Sequence, residues 1–354
     1  MSPKAFLGFS IVTIVVIIAA AFSIVSRYEV DTNGSSQARL LPGLTDRVND
    51  VTEIVYQDNE QMLTVRRDGE SWGIVERANY TVDPEVVRTL LVSLSEMRQG
   101  EPKTRVKDRY ARIQVQDVDA ADAQSMLLTV RADESVVGEI IVGRESREVA
   151  GAAGIGRYVR KPGEDRAWLA SGRLDVPSSV KAWVKPEFMH VASERIATAR
   201  IVHPDGHVMS IKRAAPKSSK FLITDLPKDA TIKYQSDIDN IADGLDHLEL
   251  EDVARPGERE FPADKTIKTE YRTSDGLIIN AESYETEKVT FWGKFSARAA
   301  DDIEDAETAE KIKKEAEAIN AKVSDWVYQL PSYKYRYMTR RVDEVLEKPE
   351  DKKS

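Results

Sequence analysis

From Ala5 to Ser26 the chain carries no charged residue, and the stretch AFLGFSIVTIVVIIAAAFSIVS is rich in Ile and Val. As a helix, a run of this length spans about 30 Å, the thickness of a bilayer's hydrocarbon core. It is apolar on every face, which speaks against a core helix with one wet side. The expected order is therefore a cytoplasmic N-terminus at 1–4 and a transmembrane anchor at 5–26. Lys4 precedes the run, and Arg27, Glu29 and Asp31 follow it. The leading positive charge favours an N-inside orientation in a bacterial inner membrane, with the bulk of the chain periplasmic. The competing reading is a signal peptide cleaved near Ala19–Ala21. The apolar run continues through Phe22, Ile24 and Val25, longer than such a peptide needs, and either reading exports the remainder. Residues 27–39 are polar with Gly and Ser, a short tether.

Composition narrows the remaining classes. Of 354 residues, 51 are Lys or Arg and 60 are Asp or Glu, a net charge of −9. That balance, with the two signs interleaved, argues against nucleic acid as a partner. With 41% hydrophobic and 31% charged residues, the soluble part reads as globular and large enough for about two domains. The absence of cysteine removes disulfides, thiol nucleophiles and thiolate metal sites.

The soluble part reads as α+β, built of two tandem similar units of mainly antiparallel strands with packed helices. In the first unit, 40–190, alternation predicts strands at 51–56, 62–67 and 72–75. Asp83-Pro84 starts a helix carrying Val86, Val87, Leu90, Leu91, Leu94 and Met97 at helical spacing. Strands at 125–131, 136–142, 157–161 and 166–170 follow, and VPSSVKAWV closes the unit. The second unit, 191–347, repeats the order, with strands at 197–203, 208–213 and 221–224. A helix marked by Ile238, Ile241, Leu245 and Leu248 follows, its start read as a capping box of Ser236 and Asp239. Strands at 267–273, 277–284 and 288–295 come next. A charged insertion at 299–323 reads as an amphipathic helix with Ile303, Ala306, Ala309, Ile312, Ala316 and Ile319 along one stripe. The last residues, 348–354, are a polar tail.

No constellation names a reaction, and no catalytic, cofactor-binding or metal residue is assigned. His203 and His207 flank the Pro204-Asp205-Gly206 turn and have ligand chemistry, but no third ligand can be placed, and a polar turn is the simpler reading. Gly151, Gly154 and Gly156 precede a strand rather than a helix, so a hairpin loop is favoured over a phosphate cradle. No G-x-S-x-G elbow occurs. The closing segment mixes aromatics and cations: Tyr333, Tyr335, Tyr337, Arg336, Arg340 and Arg341 form the candidate interaction surface. Set against it is a plain closing helix that buries Tyr335, Met338, Val342 and Val345 and turns its cations to water.

One resemblance rests on motifs in order: LPGL at 41–44, Val48-Asn49, Trp72, Tyr80, the 86–94 helix, Lys103-Thr104, YARI at 110–113, Val142-Gly143-Arg144, Tyr158-Val159-Arg160, Ala167-Trp168-Leu169 and Trp183. This pattern resembles the bacterial family called domain of unknown function 4340, well over about 40–200 and more loosely beyond. Gln114 departs from it, standing where members commonly carry Gly. The resemblance implies a single-pass envelope protein, often encoded beside an ABC-type permease, an ATPase and a protein similar to the gliding-motility auxiliary subunit. It carries no catalytic residues to transfer.

The expected function is therefore a non-enzymatic, membrane-tethered accessory or scaffold protein. Its partners would be the bilayer, through the N-terminal helix, and an ABC permease with its auxiliary subunit. The alternatives are a small-ligand module with a site between the two units, and a hydrolase with an unrecognised carboxylate site.

Overall fold

The computed structural model describes residues 38–147, 155–226 and 230–347. The expected anchor, most of the tether, Gly151, Gly154 and the polar tail lie outside these residues. Among the described residues no helix is long and apolar enough to cross a membrane. The fold is α+β, and every paired strand is antiparallel to its neighbour.

The first half contributes β1 (Glu53–Gln57), β2 (Met62–Asp68), β3 (Ser71–Ile74), β4 (Tyr80–Thr81), β5 (Arg98–Pro102), β6 (Met126–Ala132), β7 (Ser135–Ser146), β8 (Gly156–Arg160) and β9 (Ala167–Ser171). They form a nine-stranded sheet in the order β4-β3-β2-β1-β6-β7-β8-β9-β5. After the short β10 (Glu187–Met189), the second half supplies β11 (Ile196–Val202), β12 (Val208–Arg213), β13 (Phe221–Ile223), β14 (Leu248–Glu249), β15 (Asp252–Ala254), β16 (Ile267–Thr273), β17 (Leu277–Glu285), β18 (Phe291–Ala299) and β19 (Val327–Leu330). Eight of these run β13-β12-β11-β16-β17-β18-β19-β15, while β10 and β14 pair separately. Apart from β4, the two large sheets have the same strand order, place for place.

Local sequence explains the helices. In Pro84–Glu96, Asp83 Oδ1 accepts from the Glu85 amide at 3.1 Å and proline occupies the first turn. Val87, Leu90, Leu91 and Leu94 all face inward. The helix Ala306–Val323 is capped by Asp305, which accepts from the Thr308 amide at 2.8 Å, and buries Ile312 and Ala316. Asn320 grips the backbone of Ala297 through two 2.8 Å bonds, one to N–H and one to C=O. The helix is thereby fixed to β18, and its apolar stripe is spent on its own sheet.

One main core runs without a break from Leu40 to Val345 and passes through both halves. A satellite core on the first sheet gathers Tyr110, Val115, Ile141, Tyr158, Ala167 and Leu169. The YARI, Val142-Gly143-Arg144, Tyr158-Val159-Arg160 and Ala167-Trp168-Leu169 motifs meet there. The buried Arg160 lies 4.7 Å from the Tyr110 ring centroid and donates to the Val115 carbonyl at 2.9 Å. A methyl on Gly143 would overlap the Ile113 carbonyl oxygen. Gln114 adopts φ 57°, the left-handed geometry that glycine takes without penalty. The turn is thus kept and the backbone is strained there instead.

Several expectations need correction. The helix Gln235–Ala242 has no capping box: its N-cap is Tyr234 and receives no side-chain cap. Asp239 Oδ1 instead accepts from the Phe221 amide at 2.8 Å and from Gln235 Nε2 at 2.9 Å, tying the helix to β13. The strand expected at 288–295 lies at Phe291–Ala299. The reason is a hairpin turn in which the Thr286 amide donates to Thr290 O at 2.9 Å and Val289 takes φ 58°. The insertion helix starts at Ala306 rather than 299, since β18 runs on to Ala299. The closing helix divides into Ser332–Met338 and Val342–Val345.

Candidate functional site

The two halves meet along the segment that leaves the Val180–Trp183 turn. Trp183, Val184, Phe188 and Met189 are buried, so this segment is drawn across the boundary. β10 then pairs with β14 of the second half. Arg77 and Asp252 clamp the boundary through two bonds of 2.6 and 2.8 Å. Lys181 Nζ reaches Glu249 at 2.9 Å and Glu251 at 3.0 Å.

Beside these clamps lies a cleft of about 360 Å³ lined from three parts of the chain: Tyr80 to Pro84, Lys185 to Phe188, and Lys322 to Tyr328. Tyr80 and Trp326 meet edge to face with centroids 4.8 Å apart. Phe188 stacks on Tyr328 at 3.8 Å. The Arg255 guanidinium sits 3.8 Å from the Trp326 ring centroid. Burial raises the Tyr80 phenol, and burial followed by the neighbouring Tyr80 holds Tyr328 well above its ordinary value. Both phenols therefore stay neutral. Lys185 and Lys322 are exposed at the rim. The cleft thus offers aromatic walls and two exposed cations, a combination suited to apolar or anionic groups.

Glu187, which lines this cleft, also belongs to a cluster of titratable groups. Ligand-type atoms of Glu187, His190 and His247 lie within 4.8 Å of one another. His247 Nδ1 is 2.6 Å from Glu187 Oε2, and His190 Nδ1 is 3.1 Å from Asp246 Oδ1. The His247 amide donates to His190 Nδ1 at 3.2 Å. The hydrogen bond to Glu187 raises the His247 imidazole above its ordinary value. Below the cluster, the buried Lys334 donates to Asp243 O at 2.6 Å and also to Asp246 O, fixing the turn that carries Asp246 and His247.

The residues of the sequence-derived surface are placed unequally. Tyr335 is buried and stacks on Phe291 at 4.5 Å. Arg340 pairs with Asp237 at 3.0 Å, and Arg341 with Asp205 at 2.7 Å. Tyr333 and Arg336 stay exposed, and Tyr333 meets the half-buried Tyr337 edge to face at 5.8 Å. The closing helix also departs from the plain reading, because its Lys334 points inward. His203 is buried, and burial lowers its imidazole. Asp205 is occupied by Arg341 and by the His207 amide at 3.0 Å, so this turn gathers no ligand set. Gly156 is the first residue of β8, one place ahead of the expected strand start. Sequence reasoning missed Glu187, His190, Asp246 and His247. The one local signal was the spacing Glu187-x-x-His190 beside a second acidic–His pair.

No curated protein and no solved structure matches the chain. The family model described as Domain of unknown function (DUF4340) matches residues 72–272, more than half of the chain. That span begins in β3 and ends in β16, and so contains the Tyr80–Pro84 wall of the cleft and all four residues of the histidine–carboxylate cluster. The chain therefore belongs to the Domain of unknown function (DUF4340) family.

Proposed function

We propose that this chain is a non-enzymatic, membrane-tethered protein that works by binding, as an auxiliary component of an ABC-type transport system. The uncharged run at 5–26 anchors it in the bacterial inner membrane, with the described residues on the periplasmic side. The two halves are tandem copies of one α+β unit, a reading supported by their common strand order. The observation that carries the functional reading is the cleft at their junction, with Trp326, Tyr80 and Phe188 as walls and Lys185 and Lys322 at the rim. Half-buried aromatic walls with exposed cations at their rim suit partner recognition at a boundary. Tethering adds to this by raising the effective concentration at a membrane partner.

The experiment is photo-crosslinking in intact cells from an unnatural side chain at Thr81 or Lys322, with a control at Val136, which is exposed on the β6–β7 hairpin. Covalent products with ABC-type permease or auxiliary subunits from the cleft positions alone are expected. Products only from Val136, or none, overturn the reading.

A second reading is favoured by the size of the cleft. A volume of about 360 Å³ falls in the range of small-molecule sites, which makes a small envelope ligand the alternative occupant. A discrete mass increment on the intact chain, lost on Trp326→Ala, distinguishes it from a protein partner.

A further inference from the structure

We propose that Glu187, His190 and His247, with Asp246 beside them, form a binding site for a divalent transition-metal ion of the zinc class, with one coordination position open to solvent.

The donor set is two imidazoles and carboxylate oxygen, which zinc-class ions prefer and which hard ions such as Mg²⁺ and Ca²⁺ do not. On a tetrahedral ion with bonds of about 2.0–2.1 Å, ligand atoms stand roughly 3.3 Å from one another. The ligand atoms of Glu187, His190 and His247 fall within 4.8 Å of one another, with Glu187 Oε2 2.6 Å from His247 Nδ1, and Asp246 Oδ1 lies 3.1 Å from His190 Nδ1.

The local hydrogen bonding also points to a cation. His190 Nδ1 faces the His247 amide and the Asp246 carboxylate together. With Nδ1 unprotonated, its lone pair satisfies the amide but confronts a carboxylate oxygen. With Nδ1 protonated, the carboxylate is satisfied and the amide loses its acceptor. A cation on Nδ1 takes that lone pair in place of the amide proton, and the adjacent carboxylate then faces positive charge instead of a lone pair. The two rings also lie close, with centroids 4.2 Å apart, an arrangement that two imidazolium ions would oppose. The cluster is presented rigidly: Lys334 holds the 243–246 turn, and the His247 backbone is kept at φ 42°. Glu187 and Asp246 carry two negative charges against the one positive charge of Lys334, so an incoming dication meets a net attraction.

The side chains of His190 and His247 are 43% and 69% exposed, which leaves one side of the site open to water or to a partner's donor group. Because β10 and β14 share only a short pairing, a bound ion fastens the crossing segment to the second half. It also fixes Glu187, which lines the cleft. The site stands or falls independently of the partner reading above.

The test is titration of the full chain in mild detergent, stripped with chelator, with Zn²⁺ alone against a chromophoric competitor. One Zn²⁺ per chain is expected, not displaced by Mg²⁺ or Ca²⁺. Removing a ligand should cost at least what an outer-sphere partner does, about 10- to 100-fold in affinity, for His190→Ala and for His247→Asn alike. Asparagine tolerates the left-handed backbone at 247, so that variant keeps the fold. His207→Ala should bind as the unaltered chain does. Absence of binding overturns the proposal, as does binding that survives both substitutions while the metal-free melting temperature is unchanged.

Discussion

Substituting Gly244 with alanine is the sharpest probe of how the second half is packed. Its backbone is not in the left-handed region, so the requirement for glycine is one of space. A methyl there would overlap the Tyr271 hydroxyl and lie 3.1 Å from its Cζ and 3.3 Å from Met338 Cγ. Tyr271 is fully buried in the core, and its hydroxyl has no hydrogen-bond partner among the described residues. Overpacking costs about 1–3 kcal/mol, and losing glycine's unfolded-state freedom returns about 0.4–1 kcal/mol. Gly244→Ala should therefore destabilise by about 1–2 kcal/mol. Tyr271→Phe removes a buried group without a partner, so it should be neutral or stabilise by up to about 2 kcal/mol. It also removes the atom that the methyl overlaps. Gly244→Ala made in the Tyr271→Phe background should thus cost at least about 0.5–1 kcal/mol less than it does alone. Urea denaturation followed by tryptophan fluorescence reads all four corners of the cycle. Strictly additive effects, or a harmless Gly244→Ala, would refute the packing argument. Because Gly244 precedes Asp246 and His247, the same variant should also disturb the histidine cluster.

Three further outcomes follow from the contacts. Arg77→Ala should lower stability by about 1–3 kcal/mol, because it leaves the half-buried Asp252 carboxylate without its two bonds. Arg77→Lys should restore only part of this, since an ammonium cannot reproduce the fork; full rescue in a melting experiment would contradict the geometry. Gln114→Gly should stabilise by about 0.5–1 kcal/mol by relieving the left-handed backbone, with no gain in urea midpoint as the contrary result. Burial pushes Asp58 and Asp275 up, but hydrogen bonds from Tyr56 and the Glu60 and Gln61 amides, and from Thr273 with Arg195, more than offset it and leave both below the ordinary value. With folded values depressed, the unfolded state binds more protons on acidification. The stability from these groups is present above about pH 4 and lost as pH falls through their lowered values. A urea midpoint that rises on acidification below pH 4 would reverse the sign.

What the sequence made legible was what is encoded locally. Asp83-Pro84 followed by Val87, Leu90, Leu91 and Leu94 carries its own cap, period and buried face, and the helix lies where those signals put it. β12 and β16 alternate clearly enough that their ends coincide with the expected ones. β5 escaped because RQGEP has no alternation; it exists through pairing with β9, where Gly100 lets the Leu169 carbonyl approach. The supposed capping box failed because Asp239 found a tertiary partner, the Phe221 amide, that no spacing rule contains. The closing helix misled for a related reason: Lys334 is polar in sequence but is captured by two backbone carbonyls about 90 residues earlier. The histidine cluster was invisible because His190 and His247 stand 57 residues apart and meet only through the β10–β14 pairing and the turn beneath it.

The proposed role is binding of transport components at the membrane through the cleft between the two halves. Isolating the intact chain from membranes in mild detergent, beside a Trp326→Ala/Lys322→Glu variant of equal abundance and melting temperature, tests it most directly. An ABC permease and an auxiliary subunit should accompany the intact chain in fixed ratio and be depleted at least about tenfold with the variant, the loss expected from about 1.4 kcal/mol of binding energy. Equal recovery with both chains, or no transport component with either, would contradict it.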